Sequence, residues 1–297
     1  MQPLWYDVTM QVTFVRFQAA DGVELQGWLS GQGGDVAAVH IHGMCGNGYE
    51  NYFLDDLRRM YNQLGIAFLA IDTRGRGIIS DFRQADGWKH AGSCFEIFEE
   101  SLHDIKGALD YLRSLGASKF ILEGHSLGCS KIVNYIVAEQ PHDVQKIILL
   151  APTDMIAWAN ADPLHKQQLA KAKQLVAAGK GEELIGAQCW PLDKTPLSAQ
   201  AYLSKSDAGA PVDIYGVRAN GKALLGTVAQ PVLIVYGTDD IGVMHPFGSM
   251  DVFRERLDQI KHPNTELAII QDASHGFSGF EDELSRAVQA YIGATNA

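Results

Sequence analysis

Short, nearly continuous apolar runs recur along the chain and alternate with segments of helical periodicity. Continuous apolar strands are typical of a parallel sheet covered on both faces, and their alternation with helices is typical of a doubly wound α/β sheet. The runs that predict strands are residues 12–17, 23–29, 36–41, 67–71, 120–122, 145–150, 232–236 and 267–270. The segments that predict helices are residues 50–64, 95–115, 127–139, 163–178, 249–260 and 281–292.

The alternation of strands and helices is interrupted between residues 154 and 228, where irregular or helical sequence replaces it. Asp162 and Pro163 begin a helix there, as an N-cap residue followed by a proline at the first helical position. We therefore predict that residues 1–153 and 229–297 form one α/β core domain and that residues 154–228 are inserted as a helical cap. Residues 78–94 show no clear period and are interpreted as a surface loop.

Length and charge narrow the classes of function. The 297 residues fit one large α/β domain with an insertion, and the net charge of −11 argues against a nucleic-acid partner, whose phosphates would be repelled. No apolar run approaches the roughly 18 residues that cross a bilayer, so no membrane association is predicted. The N-terminus lacks a basic segment followed by an apolar core, which favours a cytoplasmic location. The sequence leaves a homodimer open.

The four cysteines, Cys45, Cys94, Cys129 and Cys189, are widely spaced and form no Cys-x-x-Cys pair. That spacing suggests neither a zinc site nor a redox pair. They are interpreted as thiols in a reducing compartment.

The segment Gly124-His125-Ser126-Leu127-Gly128 lies between an apolar run and a helical segment. Strand, Gly-x-Ser-x-Gly and helix form the context of a nucleophile elbow, a tight turn in which small residues flank the serine. Such a turn strains the serine backbone and exposes its hydroxyl. The N-terminus of the next helix favours negative charge nearby. The segment therefore predicts Ser126 as a nucleophile.

A nucleophilic serine needs a base within hydrogen-bond reach, and histidine suits that role because its pKa lies near neutrality. A carboxylate must then hold the imidazole in the right tautomer. His275 is the candidate base because it lies in the loop after the last predicted strand, and His245, in a different loop, is the alternative. Asp239 and Asp240 are adjacent candidates for the carboxylate, and only one of them can face the ring.

The chain carries five motifs that can be compared with those of known families: His42-Gly43, Asp72-x-Arg74-Gly75-x-Gly77, Gly124-x-Ser126-x-Gly128, Gly237-x-x-Asp240 and Ser274-His275-Gly276. They jointly resemble those of the α/β-hydrolase-fold serine hydrolases, in particular the capped carboxylesterases. The resemblance covers about residues 12–292 and is specific to the superfamily, not to one substrate. The cap position is similar to that of feruloyl and cinnamoyl esterases, and a weaker similarity links the chain to siderophore esterases.

The resemblance implies an α/β-hydrolase fold with a triad of Ser126, Asp240 and His275, in the chain order expected for this fold. Related loops usually read Gly-x-x-Asp, which selects Asp240 over Asp239. Some members carry the acid after the preceding strand, where Asp154 stands in this chain.

The resemblance also implies an oxyanion hole made of two backbone N–H groups. These are assigned to Met44, in the glycine-rich loop after the strand at 36–41, and to Leu127, the residue after the serine. A flexible connector is the alternative reading of that loop. Three cap aromatics, Trp158, Trp190 and Tyr202, are candidates for lining a substrate pocket, although each also suits the core of the cap.

Taken together, these residues predict a serine hydrolase that cleaves a carboxylic ester of a small organic molecule through an acyl-enzyme, without a metal or organic cofactor. Because the superfamily shares a fold and not a substrate, a thioesterase, an amidase or peptidase, a carbon–carbon bond hydrolase and an acyltransferase remain alternatives. A serine at the elbow argues against the haloalkane and epoxide branches, which use aspartate there. A non-catalytic ligand receptor on the same fold is the alternative from a different class.

Overall fold

The structure is a computed structural model that describes residues 11–186 and 195–294. Eight strands form one central sheet in the order β1-β2-β4-β3-β7-β8-β9-β10, and β5 and β6 form a separate two-stranded sheet. The strands are β1 (Val12–Gln18), β2 (Glu24–Ser30), β3 (Val36–Ile41), β4 (Ala67–Asp72), β5 (Ser80–Gln84), β6 (Gly87–Ala91), β7 (Lys119–His125), β8 (Val144–Leu150), β9 (Val232–Asp239) and β10 (Thr265–Ser274).

Helices cover both faces of the central sheet. The helices are α1 (Phe53–Gln63), α2 (Ser101–Ser114), α3 (Leu127–Glu139), α4 (Met155–Ala161), α5 (His165–Ala177), α6 (Ala199–Ser206), α7 (Ile241–Phe247), α8 (Met250–Ile260) and α9 (Glu281–Ala294). Helices α1 and α9 pack on strand residues such as Ala38 and Phe68, whereas α2, α3 and α8 pack on the alternate residues, such as Val39 and Leu69. Both faces of each central strand are therefore buried, which explains the unbroken apolar runs. No helix in the described ranges is long and apolar enough to cross a membrane.

The direction of the strands confirms the predicted mostly parallel, doubly wound sheet. Strand β2 pairs antiparallel with β1 and β4, and all other neighbours in the central sheet run parallel. Strands β3 and β7 lie side by side, and the chain moves from them in opposite directions, to β4 and to β8. The loops that follow β3 and β7 therefore meet at the topological switch point of the sheet, where ligands of open α/β sheets bind.

The segment between β8 and β9 contributes helices α4, α5 and α6, which share a buried cluster of their own with Leu127 at the start of α3. This cluster therefore sits against the carboxyl edge of the sheet. The last part of the segment differs, because Ile214, Tyr215, Leu225 and Val228 belong to the main core. The sequence pattern missed α4 and predicted α5 to within about two residues.

The interpretation of residues 78–94 as a surface loop is wrong. Strands β5 and β6 form an antiparallel pair there, with Ser80 opposite Ala91 and Gln84 opposite Gly87. Only Phe82 and Ala91 of these two strands are buried. Because a hairpin with so few buried positions has no apolar alternation, its sequence shows no period.

Candidate active site

The serine of the Gly-x-Ser-x-Gly segment occupies a strained turn between β7 and α3. Ser126 has φ 55° and ψ −123°, a conformation that a residue with a side chain rarely adopts. Its N–H donates to Leu150 O at 2.9 Å, and its carbonyl accepts from Cys129 N–H at 3.0 Å. The neighbouring strand and the first turn of α3 therefore hold the serine in this turn.

Glycine is required on both sides of the serine because the backbone is crowded. A Cβ at Gly124 would lie 2.8 Å from the carbonyl carbon of Gly128 and from Ile132 Cδ1, and one at Gly128 would overlap the carbonyl oxygen of Ile41. A Cβ at Gly43, in the loop after β3, would lie 2.9 Å from Ser126 Cβ. The two loops at the switch point thus pack directly on each other beside the serine.

The substitution Gly128→Ala is expected to lower the free energy of unfolding by about 3 kcal/mol, the upper end of the cost of overpacking. The new methyl group has to displace the backbone of β3, because the Ile41 carbonyl cannot rotate away. Gly33→Ala is the control, since a Cβ there would come no closer than 3.5 Å, to Leu115 O. Urea denaturation of both variants measures the difference. Equal stabilities would contradict the crowding at the turn.

An aspartate and a histidine meet at the carboxyl edge of β9 and β10. Asp240 is fully buried, and its Oδ1 lies 2.8 Å from His275 Nδ1 while also accepting from Gly242 N–H at 2.7 Å. Because an ionised carboxylate only accepts, the ring donates from Nδ1 and leaves Nε2 as an acceptor. His125 Nε2 bonds the backbone carbonyl of His275 at 2.8 Å, which ties the histidine loop to the serine turn.

The alternative acid and base residues point elsewhere. Asp239 is exposed, and its carboxylate lies 3.5 Å from Thr238 Oγ1. Asp154 caps α4, where its Oδ1 accepts from Ala157 N–H at 2.9 Å. The His245 ring packs edge-on against Trp158 with 5.3 Å between centroids. The structure therefore joins Asp240, and not these rivals, to the candidate base.

A cavity of about 140 Å³ opens at this edge of the sheet. Ser126 and His275 both line it, together with Met44 from the loop after β3. Within the described part of the chain, Ser126 Oγ has one hydrogen-bond partner, Thr153 Oγ1, at 3.4 Å. The structure thus brings serine and histidine to one cavity without a direct bond between them. A long contact between nucleophile and base is common in unliganded enzymes.

The loop after β3 is fixed by the fully buried ring of His42. Its Nδ1 donates to Gly43 O at 2.7 Å, because its Nε2 accepts from Thr73 N–H at 3.0 Å. Burial in this site lowers the pKa of His42 to about 3, so the ring is neutral near pH 7. His42 therefore holds the loop and is not a proton carrier at neutral pH.

The buried His42 makes stability depend on pH. Its pKa is about 3 in the folded chain and 6.5 when unperturbed, so the unfolded chain takes up the proton first as the pH falls. Its contribution is complete above pH 6.5 and is lost between pH 6.5 and 3. Between pH 6 and 4, the free energy of unfolding should fall less steeply in His42→Asn than in the wild type. The two slopes should differ by about 1.4 kcal/mol per pH unit.

Urea denaturation at several pH values measures these slopes. His142→Asn replaces an exposed histidine and serves as the control, whose slope should match that of the wild type. Parallel curves for wild type and His42→Asn would contradict a neutral, buried His42.

Comparison with known families matches residues 92–292, more than half of the chain, to the family described as "Protein of unknown function (DUF1749)". The chain belongs to this family. A search of curated protein sequences gives no match.

Solved structures identify the fold of this family member. The α/β hydrolase GrgF from Penicillium sp. sh18 is similar with a TM-score of 0.67 and 16% identity, over 95% of this chain and 98% of that chain. The esterase Est1E from Butyrivibrio proteoclasticus, with ferulic acid bound, gives 0.63 and 19%, over 93% and 97%. The Pyrococcus furiosus esterase Pf2001 gives 0.63 and 15%, over 99% and 96%. The chain therefore has the predicted α/β-hydrolase fold.

The three aromatics predicted to line a substrate pocket differ in position within this α/β-hydrolase fold. Trp158, on α4, lines the cavity. Tyr202 is fully buried among α5 and α6, where its hydroxyl bonds His165 Nδ1 at 2.8 Å and Gln168 Oε1 at 3.0 Å, and it is not among the residues that line the cavity. Trp190 lies outside the described residues.

Sequence reasoning missed several residues of the cavity wall. Thr153 follows β8 at the carboxyl edge of the sheet, and this position was the available signal. Glu50, Met155 and Ile241 also line the cavity, but nothing in their local sequence sets them apart. Burial raises the pKa of the Glu50 carboxyl, which receives a hydrogen bond from Asn47 Nδ2 at 2.8 Å.

Proposed function

We propose that this α/β-hydrolase is a serine hydrolase that cleaves a carboxylic ester of a small organic molecule through an acyl-enzyme. Ser126 would be the nucleophile, His275 the base and Asp240 the residue that orients the base. The observation that carries the proposal is the 2.8 Å bond between Asp240 and His275, whose ring faces a cavity that the strained Ser126 also lines.

In the proposed reaction, Ser126 Oγ attacks the ester carbonyl carbon while His275 Nε2 takes the hydroxyl proton. The negative charge that develops on the carbonyl oxygen is held by the N–H groups of Met44 and Leu127. Collapse of the tetrahedral intermediate breaks the bond to the alcohol oxygen, which receives the proton from the imidazolium. Asp240 stabilises that imidazolium through Nδ1.

Water completes the cycle on the acyl-enzyme. His275 takes a proton from the water as its oxygen attacks the acyl carbon, and it returns the proton to Ser126 Oγ when the acyl bond breaks. The products are one carboxylic acid and one alcohol, and the protein returns to its starting state.

Residues 154–228 would act as a cap over this site, on a core of residues 1–153 and 229–297. Two residues of α4, Met155 and Trp158, line the cavity, which supports that role. The shared cluster of α4, α5 and α6 also contacts Leu127, beside the proposed nucleophile.

The cavity favours a small acyl group. Its walls include the apolar side chains of Met44, Met155, Trp158 and Ile241. Its volume of about 140 Å³ is close to the roughly 150 Å³ of an engineered cavity that holds one benzene molecule. A short acyl chain or a single aromatic ring fits that space. The structurally similar Est1E binds ferulic acid, which makes aryl esters a second class to test on this chain.

The test is a turnover assay on purified protein with p-nitrophenyl esters from acetate to dodecanoate and with methyl ferulate. Active sites are counted in parallel with a fluorophosphonate probe. Many turnovers per labelled site, with the highest kcat/KM for the short acyl groups, support the proposal. Labelling with no more than one turnover per site would favour a ligand receptor. Transfer of the acyl group to an added alcohol in preference to water would favour an acyltransferase.

A further inference from the structure

A fully buried ionic cluster lies beneath the loop after β3. It consists of Glu96, between β6 and α2, Lys131 on α3 and Lys205 on α6, whose side chains are 1%, 0% and 0% exposed. Lys131 Nζ lies 2.5 Å from Glu96 Oε1, and Lys205 Nζ lies 3.5 Å from Glu96 Oε2. Lys205 also donates to the backbone carbonyls of Ser93 at 3.1 Å and of Glu96 at 2.6 Å. The two ammonium groups lower the pKa of Glu96 to about 2, against the opposing effect of burial.

Among the described residues, Lys131 is the lysine of this cluster that bonds a side chain in the loop after β4. Lys131 Nζ lies 3.2 Å from Thr73 Oγ1, a hydroxyl oxygen in the loop after β4. Thr73 Oγ1 in turn lies 3.0 Å from His42 Nε2. Because an ammonium group can only donate, Thr73 Oγ1 accepts from Lys131, and its own proton joins the Thr73 N–H at the single lone pair of His42 Nε2.

The series of bonds ends on the peptide group between Gly43 and Met44. His42 Nδ1 donates to Gly43 O at 2.7 Å, and Gly46 N–H donates to the same oxygen at 3.2 Å. The carbonyl of Gly43 and the N–H of Met44 are opposite ends of one planar unit. Hydrogen bonds to the carbonyl therefore fix the direction of the N–H and polarise it toward a stronger donor.

We propose that Lys131 and Thr73, acting through His42, are positioning residues that aim and polarise the Met44 N–H. This inference rests on the proposed function, in which that N–H holds the oxyanion. A donor that is already oriented needs no reorganisation when negative charge develops on the substrate, and such preorganisation lowers the barrier. Lys131 and Thr73 thus serve the reaction although neither lines the cavity.

If the cluster only stabilised the fold, substitution of either lysine should have the same effect, because each lysine supplies one of the two ammonium groups that contact the Glu96 carboxylate. Lys131→Met and Lys205→Met each remove one of them, but only Lys131→Met breaks the contact with Thr73. Thr73→Val removes the hydroxyl at nearly constant shape, whereas Thr73→Ser keeps it. The Thr73 pair also retains both buried lysines, so it remains informative if a lysine variant fails to fold.

The first readout combines two measurements. One is the turnover of the ester that the wild type hydrolyses best, and the other is the affinity for a trifluoromethyl ketone, which forms a tetrahedral adduct. In Lys131→Met and Thr73→Val, both kcat and that affinity should fall about tenfold, while KM changes little. This loss is smaller than the hundredfold or more that follows when an oxyanion donor is removed outright. Lys205→Met and Thr73→Ser should stay within about twofold. The double variant Lys131→Met/Thr73→Val should be no worse than the worse single variant, since both act on one series of bonds.

The second readout does not depend on activity. Selective ¹⁵N labelling of the seven methionines gives a simple amide spectrum, in which Met44 is assigned with a Met44→Leu variant. The Met44 amide proton should move upfield in Lys131→Met and Thr73→Val, and stay in place in Lys205→Met and Thr73→Ser. Equal effects of the two lysine substitutions, or an unmoved Met44 signal in folded Thr73→Val, would overturn the inference. Absence of ester turnover in the wild type would instead remove the proposed function.

Discussion

Replacing Ser126 by alanine is expected to lower kcat for ester hydrolysis by about 10⁴- to 10⁶-fold, the loss seen when a triad nucleophile is removed. The methyl group of alanine has no oxygen to attack the carbonyl. The backbone already sits at φ 55° with a residue that has a Cβ, so alanine adds no new strain. The rate of p-nitrophenyl acetate hydrolysis per enzyme molecule, measured for the variant and for the wild type, gives the loss.

Ser130→Ala is the matched control for this prediction. Ser130 lies in the first turns of α3, about one turn beyond Ser126, and is fully buried, so the two substitutions delete the same atom at neighbouring positions. Its variant should keep wild-type turnover. Retention of more than about 1% of the wild-type rate by Ser126→Ala, well above the range for a triad nucleophile, would exclude Ser126 as the nucleophile.

Replacing Asp240 by asparagine is expected to lower kcat by about 10⁴-fold with little change in the fold. Asparagine can donate to Nδ1 and so stabilise the tautomer that carries its proton on Nε2, which cannot accept the proton of Ser126. It also removes the negative charge that stabilises the imidazolium. The pH–rate profile, with kcat and KM measured separately, records both effects.

Asp239→Asn is the control for this second prediction because the neighbouring carboxylate is exposed and faces Thr238. We expect its kcat to stay within about twofold of the wild type, as for most surface substitutions. If Asp239→Asn were the inactive variant and Asp240→Asn the active one, the orienting role would belong to the other residue.

The sequence predicted the central sheet well because its signal is local. Each parallel strand is buried on both faces and so reads as an apolar run, and all eight predicted runs became strands of the central sheet. The serine turn was equally predictable, since the crowding at Gly124 and Gly128 leaves no room for another residue. The proximity of His275 and Asp240 could be predicted because each follows a strand at the edge where such loops converge.

Contacts between distant elements could not be predicted in the same way. Glu123 is fully buried between His40 Nδ1 at 2.8 Å and the Tyr61 hydroxyl at 2.9 Å, and nothing in its local sequence indicates either partner. His40 lies opposite Glu123 on the neighbouring strand, so the pair depends on the register of β3 against β7.

The aromatic residues between β8 and β9 show the same limitation. Trp158 faces the cavity and Tyr202 faces the helices, and the difference depends on how each helix is rotated against its neighbours. The Asp72-x-Arg74-Gly75-x-Gly77 motif gave no hint that Arg74 pairs with Asp104 and Asp21. Such partners come from elements far along the chain, and local sequence does not specify them.

The bond from the His125 ring to the backbone carbonyl of His275 links two segments that are 150 residues apart. Burial lowers the pKa of His125 well below its usual value, so this ring keeps a single N–H, and that N–H is committed to the carbonyl. A thermal fluctuation that loosens either segment would release the other as well. Heat or mild denaturant should therefore disable both segments in one cooperative event, with no intermediate in which only one of them has melted.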